Sequence, residues 1–194
     1  MSLGGTPVEI LVVCTANRCR SPLAAALLAP LLELRGVPAR VATAGLRSPG
    51  RATPRETTAV ASRRQLDVSA HRSRVLDAEE VATADLILGM ERLHVREVVA
   101  RHPGSWPRTF TLKGLVRRAT ELQPRAADEM LEAWLARMNE NRAPRDLLGA
   151  SPEDDVTDPT GGTLAEHEDL AEELADLIAR LVDLAWPPTV RTRA

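Results

Sequence analysis

The sequence predicts a three-layer, doubly wound α/β fold, with a central four-stranded parallel sheet and helices on both of its faces. Three observations carry that prediction. Short apolar runs recur along the chain, segments of helical periodicity separate them, and Gly, Pro and Ser clusters mark the boundaries. A chain of 194 residues is long enough for one well-filled core, so a single domain over 1–194 accommodates the whole pattern.

The elements follow in order. Residues 1–7 lack a basic stretch leading into an apolar core and read as a disordered leader rather than a signal. Glu9-Ile10-Leu11-Val12-Val13 is apolar and β-branched, as a buried parallel strand should be. Pro22 to Leu34 is a helix, with Ser21 as cap candidate, Pro22 at its first position and Arg35-Gly36 as its stop. Ala39 to Ala44 is the second strand, closed by Gly45. A Ser/Pro/Gly loop, Leu46 to Thr53, leads into a helix over Pro54–Leu66 with Thr53 as its cap. A short helix over Asp77–Thr83 precedes the third strand, Asp85 to Met90, and the helix Glu91–Arg101. Arg108 to Leu112 reads as the fourth strand, followed by a helix near 114–120. Residues 101–150 form an atypical helical region, with a helix or lid-like insertion over Pro124–Asn141. Leu164 to Leu184 is a strongly amphipathic final helix.

The most informative stretch joins the first strand to the first helix: Cys14-Thr15-Ala16-Asn17-Arg18-Cys19-Arg20-Ser21. Cys14 leaves the carboxyl end of a strand and faces the positive end of a helix. Five residues separate it from Arg20, enough to curl backbone N–H groups of Thr15, Ala16, Asn17, Arg18, Cys19 and Arg20 around one tetrahedral oxyanion. A thiolate is the nucleophilic form of cysteine, and the helix end, the loop amides and a guanidinium all favour the anion. Ser21 is placed to donate a hydrogen bond to the sulfur. The planar fork of Arg20 suits two equatorial phosphoryl oxygens. Asn17 tolerates the left-handed backbone that such a curl demands. The loop points to phosphatase chemistry. No Gly-Lys-Ser/Thr loop and no Gly-x-Gly-x-x-Gly stands anywhere in the chain, which argues against nucleotide folds.

Composition narrows the partners. The net charge is −2, with both signs interspersed, so a nucleic-acid partner is not expected. No apolar segment reaches the roughly 20 residues that span a bilayer. Two cysteines do not make a disulfide framework, which fits a reducing, cytoplasmic setting.

This loop, with Thr43-Ala44-Gly45, His71-Arg72-Ser73-Arg74, Asp85-Leu86-Ile87-Leu88-Gly89-Met90 and Asp158-Pro159, resembles the low-molecular-weight protein tyrosine phosphatases. The segments fall in that family's order and cover most of the chain outside 101–150. The resemblance implies that Cys14 is the nucleophile, Arg20 the residue that binds the phosphoryl group and Asp158 the general acid. It also implies a buried network through Asn17, Ser21, Thr43 and His71 that holds the loop open, and no metal or cofactor. Asp154 and Asp155 compete with Asp158 for the acid, but neither precedes a proline. Cys19 is a candidate partner for a reversible disulfide with Cys14.

Two departures bear on the substrate, a phosphorylated protein or a small phosphomonoester. Thr160 and Gly161 follow Asp158-Pro159 where the family usually has an aromatic, and the loop Leu46–Arg51 lacks one as well. Stacking lost in this way amounts to roughly 0.5–1.5 kcal/mol per contact. Trp106 or Trp134 could supply a wall. Two further functions stay open at this point. An arsenate reductase would draw on an external low-molecular-weight thiol, because no cysteine follows Cys19. A phosphoprotein-binding module without turnover would have no use for Asp158.

Overall fold

A computed structural model of the protein describes residues 6–47 and 49–188. Most of the expected leader, residues 1–5, lies outside them; Thr6 and Pro7 precede the first strand without regular structure. The strands are β1 (Val8–Cys14), β2 (Ala39–Gly45), β3 (Leu86–Gly89) and β4 (Thr109–Thr111). They form one parallel sheet in the order β2-β1-β3-β4. The helices are α1 (Arg20–Leu34), α2 (Arg55–Arg63), α3 (Ala78–Thr83), α4 (Arg92–Arg101), α5 (Leu112–Glu121), α6 (Leu131–Asn139) and α7 (Leu164–Ala185).

Strand periodicity divides the helices between two faces. Ile10, Val12, Leu86, Leu88 and Phe110 point into the larger core, where they meet Leu23 and Leu28 of α1, Leu115 of α5 and Leu174 and Ile178 of α7. Their neighbours Leu11, Val13 and Ile87 point the other way, onto Val81 of α3 and Val98 of α4. The three-layer arrangement is therefore the expected one. β1 is buried along most of its length because it is a central strand covered on both faces.

Several boundaries differ from the sequence reading, each for a local reason. Helix α1 begins at Arg20 with Cys19 as its cap, and no side chain caps it. The Ser21 hydroxyl is instead drawn into the preceding loop. Thr53 does not cap α2; Pro54 occupies that position, and the helix ends at Arg63 because Gln65 takes a left-handed conformation (φ 60°). The helix expected over 124–141 forms only over Leu131–Asn139. Before it, Arg125 donates its backbone N–H to Leu184 O at 2.8 Å and its guanidinium to Ala185 O, which pins that stretch to the end of α7. Among the described residues no helix is long and apolar enough to cross a membrane.

The switch in winding direction lies between β1 and β3, and the loops at their carboxyl ends open onto one crevice. Leu46 N donates to Thr15 O at 2.9 Å, and Val156 N donates to Met90 O at 2.8 Å, so three loops are tied to the sheet edge there. Gly45 ends β2 against the first of them. A Cβ at Gly45 would lie 2.9 Å from both Cβ and N of Asn17, closer than backbone atoms allow. Gly45→Ala is therefore expected to lower the unfolding free energy by about 1–3 kcal/mol through overpacking. A urea midpoint unchanged from wild type would contradict this.

Candidate active site

Cys14 is the last residue of β1 and its side chain is buried. Its Sγ lies 3.0 Å from Ser21 Oγ and accepts from Asn17 N at 3.2 Å. Asn17 sits at φ 51°, a conformation asparagine adopts at low cost. Its side chain donates from Nδ2 to Ser21 Oγ at 2.9 Å and accepts at Oδ1 from Arg74 N at 3.0 Å. His71 Nε2 reaches Asn17 O at 2.7 Å. Asn17, Ser21 and His71 are thus brought together around the loop. Thr43 is not joined to them: it is buried on β2, and its hydroxyl makes no hydrogen bond to that network among the described residues.

The loop leaves donors unspent. Among the described residues the N–H groups of Ala16, Arg18, Cys19 and Arg20 have no hydrogen-bond acceptor in the protein. Buried or half-buried N–H groups are nearly always paired, so the four idle donors of the loop that Asn17 N ties to the Cys14 sulfur are free to receive an anion.

Arg20 is buried, so its guanidinium needs fixed acceptors around it. It pairs with Glu91, the residue that precedes α4, and donates from Nη1 to Val156 O at 2.9 Å. From Nη2 it donates to Asp158 Oδ2 at 2.6 Å and to Thr15 Oγ1 at 3.2 Å. Asp158 Oδ1 in turn accepts from Thr160 N at 3.1 Å and Thr160 Oγ1 at 2.7 Å. The rival carboxylates are spent elsewhere. Asp154 is buried between Arg92 and Arg117, and Asp155 accepts from Arg92 N and Ser151 N. Only Asp158 of the three touches Arg20.

Glu91 and His94 escaped the sequence reading. A charge in the residue after a strand and a lone histidine near a helix start have no distinguishing pattern. His94 is buried, with Nε2 3.0 Å from Thr15 Oγ1. Thr15 Oγ1 accepts from Arg20, and its own proton has one acceptor within reach, His94 Nε2, which places the ring proton on Nδ1. That Nδ1 is buried with no partner among the described residues. Burial, with the Arg20 charge adding to it, lowers the His94 pKa from 6.5 to about 3. The neutral ring is what an acceptor needs to be.

Cys14 and Cys19 are both free thiols. Cys19 Sγ lies 3.6 Å from Thr160 Oγ1 and also meets Thr57, which hydrogen-bonds His167 Nδ1 at 2.9 Å. Burial pushes the Cys19 thiol up from its ordinary value. Neither tryptophan forms the wall considered above. Trp134 is wholly inside the core, and the Trp106 ring is covered by the Arg142 guanidinium, 4.1 Å from its centroid. Among the described residues no group of three His, Cys, Asp or Glu side chains is arranged to hold a metal ion.

The model of the low molecular weight phosphotyrosine protein phosphatase family matches residues 9–143. The chain belongs to this family. A protein-arginine-phosphatase of Geobacillus stearothermophilus is 30% identical over 178 residues, covering 91% of this chain and 95% of that protein. A probable low molecular weight protein-tyrosine-phosphatase, EpsP, of Ralstonia solanacearum is 42% identical over 103 residues, 53% of this chain and 69% of its own length. The solved low molecular weight protein tyrosine phosphatase of T. tengcongensis superposes with a TM-score of 0.69 at 28% identity, over 91% of this chain and 98% of that one. The chain is accordingly a phosphatase, a hydrolase of this family. The family match ends before Asp158, whose place beside Arg20 is read from the geometry alone.

Because the folded His94 ring has a pKa below that of an unfolded histidine, unfolding takes up a proton below about pH 6.5. Stability is then lost as pH falls from 6.5 toward 3, by up to about 1.4 kcal/mol per pH unit from this group. His94→Gln keeps an acceptor for Thr15 but cannot titrate. Urea midpoints between pH 7 and 5 should fall more steeply for wild type than for the variant; parallel slopes would contradict the assignment.

Proposed function

We propose that this chain hydrolyses phosphorylated side chains of proteins through a phosphocysteine intermediate on Cys14, with phosphotyrosine as the leading substrate. The single observation that supports this most is the set of idle N–H donors curled over the Cys14 sulfur, with Arg20 and Asp158 at the same crevice. In the first step Cys14 Sγ attacks phosphorus in line, and the bond from phosphorus to the leaving oxygen breaks. Asp158 delivers the proton that the departing oxygen requires. The loop N–H groups and Arg20 hold the equatorial oxygens, whose charge is shared most widely in the transition state. In the second step Asp158 removes a proton from water, the water oxygen attacks phosphorus, the S–P bond breaks and inorganic phosphate leaves. Ser21 donates to the sulfur as it departs, and Asn17, held by Arg74 N and His71, keeps the loop curled. Oxidised Cys14 has a candidate disulfide partner in Cys19.

A second reading, a phosphoarginine substrate, has a specific observation behind it: a relative that aligns over 91% of this chain is named a protein-arginine-phosphatase. The same two steps serve a P–N bond, with Asp158 protonating the leaving nitrogen. The missing aromatic at Thr160 weighs less against this substrate, which has no ring to stack.

Cys14→Ser is expected to abolish turnover of p-nitrophenyl phosphate, and Asp158→Asn to lower kcat on phosphotyrosyl peptides by about 10²–10⁴. The Asn variant should also depend more steeply on leaving-group basicity. Full activity in the Cys14 variant overturns the mechanism. Thiol-dependent consumption of arsenate with negligible phosphatase activity would instead favour the reductase, and tight phosphopeptide binding without turnover the binding module.

A further inference from the structure

The described arginines are almost all engaged. Guanidinium groups elsewhere in the molecule lie on carboxylates, as with Arg35, Arg92 and Arg137, or on backbone carbonyls, as with Arg96 and Arg118. Among the described residues only Arg47, Arg51 and Arg55 have a guanidinium with no partner of any kind. All three are exposed; Arg47 and Arg51 lie on the loop that leaves β2, and Arg55 is the first residue of α2, which that loop enters.

That loop is built against the Cys14 loop. Leu46 N donates to Thr15 O at 2.9 Å, and Arg18 Nε donates to Ala52 O at 2.9 Å. Its outer strand of backbone is held by the segment carrying His71. Gly50 N donates to Ser73 O, Ser73 N donates to Arg51 O, and Ala52 bridges Arg72 in antiparallel fashion. The three stretches that meet here, 14–22, 45–55 and 68–76, contain seven arginines and no Asp or Glu. In a chain with a net charge of −2 this is a local excess, bounded by Glu56, Asp67 and Asp77 and met in part by the pairing of Arg74 with Glu80. The carboxylates of Glu91 and Asp158 are already paired with Arg20.

We propose that Arg47, Arg51 and Arg55 form a recognition surface for acidic residues flanking the phosphorylated residue of a protein substrate. The proposal rests on the phosphatase reading of the Cys14 site and names the class of substrate that site takes. An exposed arginine costs little to leave unpaired, so one such residue means nothing. Three at four-residue spacing, beside a pocket whose ligand is itself an anion, create a field that steers and holds a polyanionic segment. The surface also stands where the family's aromatic wall is missing. Affinity that stacking does not supply is drawn here from charge, and it is correspondingly sensitive to salt.

The test compares phosphopeptides of one length whose flanks are acidic, neutral or basic, carried on phosphotyrosine and on phosphoarginine, with p-nitrophenyl phosphate as a substrate without flanks. At low ionic strength kcat/KM is expected to favour acidic over basic flanks by about tenfold or more, and the ratio should shrink as salt rises. The triple variant Arg47→Glu, Arg51→Glu, Arg55→Glu should lose or invert that preference while turning over p-nitrophenyl phosphate as wild type does, which also reports that it is folded. Turnover that ignores the flanks in wild type, or a preference that survives in the triple variant, overturns the arginine surface alone. Failure to turn over any of these substrates overturns the phosphatase reading and the surface with it.

Discussion

The constraint on which the site depends is the burial of one positive charge. An unpaired guanidinium in the interior costs several kcal/mol, so Arg20 is tolerable only where fixed acceptors surround it. Those acceptors are four residues from three places: Thr15 from the same loop, Glu91 from the cap of α4, and Val156 and Asp158 from the segment before α7. None of these segments is held in place by its own hydrogen bonds alone. Met90 O accepts from Val156 N, and Val13 O accepts from Met90 N, so the same strand ends that carry Cys14 also carry the partners of Arg20.

The arrangement has a consequence for substrate entry. In the structure one edge of the guanidinium faces Asp158 and Thr15, while Glu91 and Val156 O hold the other. On the proposed mechanism, a phosphoryl dianion entering the loop competes for the first edge and leaves the second occupied. On that reading Glu91 is the permanent counter-ion of Arg20 and Asp158 the exchangeable one. The carboxylate displaced from Arg20 is the one the proposed mechanism uses for proton transfer. His94 completes this division, because a neutral acceptor behind Thr15 keeps the hydroxyl turned toward Arg20 without adding charge of its own.

Much of this was legible in the chain. The parallel sheet, the strand-to-helix placement of Cys14 and the left-handed Asn17 follow from local patterns of burial and backbone freedom, which sequence records directly. The failures are equally physical. Ser21 looks like a helix cap, but its hydroxyl is claimed by Cys14 and Asn17. Thr53 looks like one too, and the helix starts one residue later. The helical periodicity of 124–141 is real, yet tertiary bonds from Arg125 to the end of α7 override its first turns. Glu91 and His94 were invisible because their importance lies in what they touch across the sheet, and long-range pairing leaves no periodic trace.

Thr160 shows why a missing aromatic need not mean a degraded site. Its hydroxyl donates to Asp158 Oδ1 at 2.7 Å, its N–H donates to the same oxygen, and its other contact is Cys19 at 3.6 Å. An aromatic side chain at this position would offer stacking area but no hydroxyl donor, so Asp158 would be held on that side by a single N–H. The exchange trades a flat wall for tighter orientation of the carboxylate, and it binds the segment before α7 to the loop that carries Arg20. Orientation of a proton donor is needed for any phosphoryl substrate, whereas a flat wall serves only a ring. With the wall gone, discrimination passes from the ring of the phosphorylated residue to whatever lies around it. The surface proposed for that role is the unpaired guanidinium trio of Arg47, Arg51 and Arg55, at the turn from β2 into α2.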